Sequence, residues 1–264
     1  MKKVIGLCLI IALAMWSCGK KAKKEEPKEK VSINVYYTQP APFSKILSDL
    51  EKLGAVNFNR VLKNRKKASP KSLDKIAFNL GAEVADALVS VKGKNKNELI
   101  SIANDLVNYG EMLGVSKKFL QLSDSLRILL EQDDWERIEK KLENYKKTIL
   151  DELYSLENFD YVVLIQFGGW IKGLQNVSDV LIVDVKGKEG TKLLSNKTVI
   201  NALLHDLPNL SDNNVLNQSY FQKSLANVRK IKEIIFGSKD EYFDEKEVKQ
   251  LYQLSTEITE LYLK

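Results

Sequence analysis

DYVVLIQFGGWIKGLQNVSDVLIV, residues 160–183, is the stretch that decides the fold class. Residues 161–167 are almost continuously apolar, and a helix that is apolar on all sides is typical of a buried position. The middle of the stretch carries Gly168, Gly169 and Gly173. Glycine within a helix costs about 1 kcal/mol against alanine, so close packing or another benefit must offset it. We therefore expect this segment to be the central helix of a bundle.

Helical spacing of apolar residues continues on both sides of this stretch. Leu73, Leu80 and Val91 belong to one apolar stripe at intervals of three and four, after a predicted cap and first-turn proline at Ser69-Pro70. The best strand candidate is residues 33–37 (INVYY), which we expect to form an extended arm because it has no strand to pair with. The sequence predicts an all-α fold, a multi-helix bundle or orthogonal array of about eight or nine helices.

A membrane-spanning helix is the rival interpretation of residues 160–183. Gln166, Lys172, Asp179 and the pair at 175–176 interrupt the apolar run with polar or charged side chains. A span needs about 20 predominantly apolar residues, so these interruptions favour a buried helix of a globular domain.

The N-terminal residues 1–17 have the pattern of a secretory signal. Lys2 and Lys3 precede an uncharged run, and this run is too short to span a bilayer. Ser17 and Cys18 then resemble the bacterial lipobox, in which a small residue precedes a cysteine that is acylated and becomes the new N-terminus. The resemblance implies cleavage after Ser17 and a lipid on Cys18. An uncleaved anchor, or a plain signal peptide with a chance cysteine, are the alternatives.

The charge of the chain is concentrated near its N-terminus. Residues 1–30 hold eight lysines and three glutamates, so the other residues carry 33 basic and 32 acidic groups although the whole chain has a net charge of +6. A near-neutral body does not support nucleic-acid binding. Residues 18–31 are rich in Lys and Glu and predict a disordered tether. Residues 32–264 are expected to form a single all-helical domain.

Two segments carry a resemblance to a known family. They are AFNLGAEVAD at 77–86 and GGWIKGL at 168–174. With the helix between them, they resemble an uncharacterised family of helical lipoproteins from Bacteroidetes-type bacteria, over roughly residues 70–235. Members of that family have no established activity, so the resemblance implies a lipoprotein and an all-α fold but no mechanism. We expect a lipid-anchored location in the bacterial cell envelope, with the outer membrane favoured over the inner.

The glycines in these two segments permit two interpretations. In the first, Gly81 lets a neighbouring helix approach residues 168–169, and the role of the glycines is packing alone. In the second, those glycines form the floor of a small pocket with Phe78, Tyr161 and Trp170 as its walls. Such a pocket would bind an apolar or aromatic-stacking ligand.

The sequence contains no catalytic, metal or cofactor signature. His205 is the only histidine, which excludes histidine-rich zinc sites and the paired Glu-x-x-His motifs of di-metal bundles. His205 adjoins Asp206, but no nucleophile is placed beside them. The segment 187–192 lacks the spacing of a phosphate loop. Glu83 and Asp86 share a helical face and are a candidate carboxylate pair for acid-base chemistry, although their spacing fits a capped or salt-bridged surface equally well.

We therefore expect a membrane-anchored envelope lipoprotein that is not an enzyme and that binds a partner protein or a small ligand. Its lipid contact would be made through Cys18, and no cofactor is assigned. A carboxylate-based envelope hydrolase and a purely structural envelope component are the alternatives.

Overall fold

The computed structural model describes residues 33–37, 42–116 and 122–264. These residues form twelve α-helices, nine of them with seven or more residues, and no β-strand. The predicted all-α fold is therefore confirmed. Ser17, Cys18 and the whole of the predicted leader and tether lie outside the described residues. From Ile33 onward the chain forms one compact unit.

The helices are α1 Asn34–Tyr37, α2 Phe43–Leu53, α3 Phe58–Lys63, α4 Leu73–Lys92, α5 Lys96–Met112, α6 Leu122–Glu131, α7 Trp135–Ser155, α8 Phe159–Val183, α9 Lys197–Asp206, α10 Asn213–Leu216, α11 Ser219–Gly237 and α12 Glu245–Leu261. Short 3₁₀ turns at Glu189–Leu194, Leu207–Asn209 and Lys239–Glu241 connect the later helices.

Two helices share the centre of the fold. α8 is buried along fifteen of its residues and packs most extensively against α4 and then α12, which confirms the predicted central position. α4 is buried along seventeen of its twenty residues, although its sequence predicts a single apolar stripe. α3, α5, α7 and α8 cover it from several sides, and small or satisfied polar side chains fill the positions outside the stripe.

Glycines allow α4 and α8 to approach each other at backbone distance. A Cβ on Gly81 would lie within 3.0 Å of the carbonyl of Ile165, and a Cβ on Gly168 within 3.0 Å of the carbonyl of Phe78. Real Cβ atoms essentially never come that close to backbone. The structure therefore shows the close helix contact that the first interpretation expects at Gly81 and Gly168.

The predicted extended arm at residues 33–37 is wrong. Asn34–Tyr37 is one helical turn, in which the Tyr36 N–H donates to the Ile33 carbonyl at 3.2 Å. The Val35 N–H donates to the Asp206 carboxylate at 2.6 Å, and Val35 is buried. A strand needs a neighbouring strand for its backbone groups, and the described residues offer none. A carboxylate from α9 and an internal turn satisfy these groups instead.

One predicted helix start differs from the structure. α4 begins at Leu73 and not at Ser69-Pro70, because the Ser69 N–H donates to the carbonyl of Leu263 at 2.7 Å and so connects that residue to the C-terminal segment. α7 is capped by Asp134, whose carboxylate accepts the Arg137 N–H at 3.1 Å. Asp133 has a positive φ of 53° and belongs to the preceding turn.

Within the described ranges, none of the helices is both long enough and apolar enough to cross a membrane.

Candidate functional site

A cavity of about 600 Å³ lies beside the crossing of α4 and α8. Residues from α1, α2, α4, α7, α8, α9 and the 3₁₀ turn Glu189–Leu194 line it. Cavities that hold drug-sized ligands measure about 300–1,000 Å³ and are mostly apolar with a few polar groups. The cavity therefore has the size of a small-molecule site.

The floor of the cavity is built from helical stripes on α4 and α8. The α4 stripe consists of Gly81, Val84, Ala85 and Leu88, at intervals of three and four. On α8 the stripe is formed by Gln166, Gly169, Trp170, Gly173, Leu174 and Val177. These spacings place each set on one face of its helix. The floor is thus made by a face of each central helix adjoining their shared contact.

Three of these lining positions are glycines, and their missing side chains let neighbouring groups pack closely beside the cavity. A Cβ on Gly169 would lie 3.2 Å from the Gly81 carbonyl oxygen, and one on Gly173 would lie 3.2 Å from the ring of Phe43. Gly81, which permits the close approach of α4 and α8, therefore also lines the cavity next to it.

Aromatic side chains on α1 form part of the mouth. The Tyr36 ring stacks on the Tyr154 ring with 4.4 Å between centroids, and the Tyr36 hydroxyl donates to Asp151 of α7 at 2.6 Å. This hydrogen bond to a carboxylate raises the pKa of Tyr36 to about 12. Tyr37 and Lys147 line the cavity and are exposed, so this side opens to solvent. α1 is thereby connected to α7 across the opening.

The wall formed by α7 is charged. Glu143, Lys146, Lys147 and Asp151 all line the cavity from one side of this helix. Both acids already accept a hydroxyl hydrogen bond, Glu143 from Ser44 and Asp151 from Tyr36. Their lone pairs are therefore partly satisfied without a cation.

Lys146 stands apart from the other charged groups of the wall. Its side chain is half-buried, and among the described residues it has neither a hydrogen bond nor an ion pair. Burial lowers the pKa of its ammonium group, and the nearby Glu143 carboxylate offsets only part of that effect. An ammonium group in such surroundings gains when an anion is placed beside it.

The five residues predicted to form a pocket are distributed over three places. Gly169 and Trp170 line the cavity. Gly168 and Phe78 lie in the core, where the Phe78 ring stacks on that of Tyr262 at 3.8 Å. Tyr161 lines a separate depression of about 420 Å³ beside Asp160. The structure thus brings two of the five together in the cavity.

Lys146 is a candidate site residue that the sequence pattern did not predict. The sequence of α7 shows a regular core stripe that includes Ile138, Leu142 and Tyr145, and the Lys and Glu residues beside it have the pattern of a solvated face. In the structure, part of that face lines the cavity. Its charged residues recur at three and four from Glu143 to Asp151, which is the one signal that a second side of this helix has a neighbour.

The carboxylates of Glu83 and Asp86 belong to a buried charge cluster and do not line the cavity. Glu83 Oε2 accepts from Arg65 Nε at 3.1 Å and from Nη2 at 2.8 Å, and Asp86 accepts from Asn176 at 2.9 Å. Burial and the neighbouring Asp86 raise the pKa of Glu83 to about 7 against the opposing effect of Arg65. These carboxylates serve as partners of a buried guanidinium, which gives no support to the hydrolase alternative.

The guanidinium of Arg65 also bonds Glu98 at 2.6 Å and Asp105 at 3.3 Å. On the other side, Lys172 lies 3.5 Å from Asp86. The cluster is a closed network in which each charge has an opposite neighbour.

The single histidine has a structural setting. His205 Nδ1 lies 2.9 Å from Asp206 Oδ1 and 2.7 Å from the amide nitrogen of Asn34, and the Asp206 carboxylate also accepts the Val35 N–H. The pair therefore fastens α1 to α9. Across the described part of the chain, no cluster of three or more His, Cys, Asp or Glu residues has a metal-binding arrangement.

No family model matches the chain, and no curated protein or solved structure is significantly similar to it. Proposals about its function therefore rest on the geometry of the described residues.

Proposed function

We propose that this chain is a lipid-anchored envelope protein that binds a small apolar molecule in the cavity between α2, α4, α7 and α8. The observation that carries the proposal is an open cavity of about 600 Å³ built against the two most buried helices. Open cavities of this size with a mostly apolar lining are few in a protein and are typical of small-molecule sites.

The composition of the wall supports an apolar occupant. Phe43, Trp170, Leu174 and Leu193 line the space together with aliphatic residues of α4. Apolar surface that a ligand covers contributes about 25 cal/mol of favourable binding free energy per Å², before the costs of association are subtracted. A ligand with a hydrocarbon chain therefore matches the wall better than a sugar or a nucleotide.

The binding test uses 1-dodecanol and the fluorescence of Trp170. In the full chain, Trp16→Phe and Trp135→Phe leave Trp170 as the sole tryptophan. We expect a saturable change of its emission and, at a hundredfold excess over Kd, a rise of Tm by about 5 °C or more. The absence of both changes would overturn the binding proposal.

Two valines on α8 provide a matched pair of variants. Val177→Phe places a ring in the cavity and is expected to weaken dodecanol binding at least tenfold, whereas Val183→Phe, at the exposed end of the same helix, leaves it unchanged. If Val177→Phe does not fold, Leu193→Trp on the 3₁₀ turn reduces the cavity from another side. Equal affinity in all variants would place the ligand elsewhere.

The anchoring part of the proposal rests on the leader pattern and on Cys18. In a bacterial host, the parent chain is expected in the membrane fraction and to incorporate labelled palmitate, and Cys18→Ala is expected to lose the label. A Cys18→Ala protein that keeps the label, or a parent that never acquires it, would contradict lipidation at this residue. Cys8→Ala, within the predicted leader, is the control.

A further inference from the structure

We propose that the cavity takes an amphiphile with a single carboxylate head group, a long-chain monocarboxylic acid, with the carboxylate on Lys146 and the chain against Trp170. This inference rests on the proposed function, because it specifies the ligand of the same cavity. It adds the charge of the wall to the apolar lining on which the proposed function rests.

The charge balance of the wall favours one negative group. The titratable residues that line the cavity are Tyr36 and Tyr37 of α1 and the four charged residues of α7. Glu143 and Asp151 are engaged by Ser44 and Tyr36, while Lys147 is exposed at the mouth. Among the described lining residues, Lys146 is thus the one half-buried cation without a partner.

An apolar cavity with an unpaired ammonium is costly when it is empty. Burial of a charge without a partner is unfavourable, and the lowered pKa of Lys146 is an expression of that cost. A carboxylate at the ammonium would form a charge-assisted hydrogen bond of the stronger kind. A doubly charged phosphate would bring two negative charges to a single ammonium, and Glu143 would repel it more strongly than a singly charged carboxylate.

The arrangement of the cavity separates the two ends of such a ligand. Lys146 belongs to the α7 wall, and Trp170 and Gly173 belong to the α8 floor, where the ring of Phe43 packs closely on the glycine. The carboxylate of the ligand, beside α7, and its hydrocarbon chain, along α8, therefore occupy different sides of the cavity. Both ends of the ligand meet a chemically matching surface.

The test compares dodecanoate with 1-dodecanol, at concentrations below micelle formation, in the full chain with Trp170 as the sole tryptophan. We expect the acid to bind at least tenfold more tightly than the alcohol at pH 7, since a hydrogen bond to a charged group is worth about 1.5–3 kcal/mol and tenfold is about 1.4 kcal/mol. The preference should decline as pH rises toward the ordinary lysine pKa of 10.5, because Lys146 loses its proton while the ligand remains ionised.

Lys146→Met is the decisive variant, and Lys147→Met is its matched control. Lys146→Met is expected to remove the preference for the acid while alcohol binding persists, and Lys147→Met is expected to keep the preference. Alcohol binding without any preference for the acid would overturn this inference and leave the proposed function standing. Binding of neither probe would overturn both. If Lys146→Met does not fold, Lys146→Gln gives the same comparison with a neutral polar side chain.

Discussion

The two sides of α4 show how differently one fold treats two buried cations. On the side of α3 and α5, Arg65 is 8% exposed and contacts four carboxylates. On the side of α7, Lys146 faces a cavity and has no partner among the described residues. Removal from water is costly for both groups. The fold itself supplies the partners of Arg65, whereas a cation without a partner beside open space indicates that a ligand supplies one.

Replacing Arg65 tests the paired side and should have the largest effect. Arg65→Met leaves Glu83 and Asp86 buried without their guanidinium, and breaking a buried pair from one side costs about 3–5 kcal/mol. Urea denaturation should show this loss in the free energy of unfolding. The control is Lys67→Met: Lys67 is exposed and pairs with Asp105 at 3.4 Å, so the change should be about 0–1 kcal/mol. Equal losses of unfolding free energy in the two variants would contradict the difference between a buried and an exposed cation.

The pH dependence of stability tests the same cluster with a smaller effect. Because the pKa of Glu83 is raised to about 7 in the folded protein from an ordinary 4.5, the folded state binds more protons between these values. The free energy of unfolding should therefore fall as pH rises from about 5 to about 7.5, by about 2 kcal/mol. Glu83→Gln should lack this contribution, and Glu98→Gln should keep it. A parent and a Glu83→Gln variant with parallel pH curves would show that Glu83 does not titrate in this window.

Removing the charge of Lys146 tests the unpaired cation. We expect the smallest change in the free energy of unfolding of the three predictions, and a gain where Arg65→Met shows a loss. Without ligand, Lys146→Met should raise the free energy of unfolding by about 1 kcal/mol at pH 7, because it removes a poorly solvated charge. The pKa of Lys146 is lowered in the folded protein, so the penalty is present at low pH and disappears as pH rises toward its ordinary value of 10.5. The gain should shrink accordingly, and Lys147→Met should be neutral throughout. A loss of stability in Lys146→Met would show that its ammonium is already paired.

Much of the architecture follows from local patterns that the sequence displays. The central position of α8 is predictable because residues 161–167 are apolar on every side. The start of α12 after Asp244 is predictable because Asp244 and Glu247 form a capping box, which the structure contains. Such features depend on residues within one or two helical turns of each other.

Other features depend on residues that are distant in the chain and are not predictable from local patterns. Asn34–Tyr37 has a β-rich composition, yet it is helical because Asp206, 171 residues away, accepts the Val35 N–H. The role of Lys146 depends on α2, α4 and α8 leaving a space in front of α7. From the sequence, the same lysine is indistinguishable from its solvated neighbours.

The contacts of α1 also have a mechanical consequence. A helix of four residues is too short to be stable by itself, so its position depends on the Val35 bond to Asp206 and on the stacking and hydrogen bond of Tyr36. The residues that precede Ile33 join the body through this turn. A displacement of Ile33 is therefore passed to Val35 and Tyr36, whose bonds connect the rim of the cavity to α9 and α7.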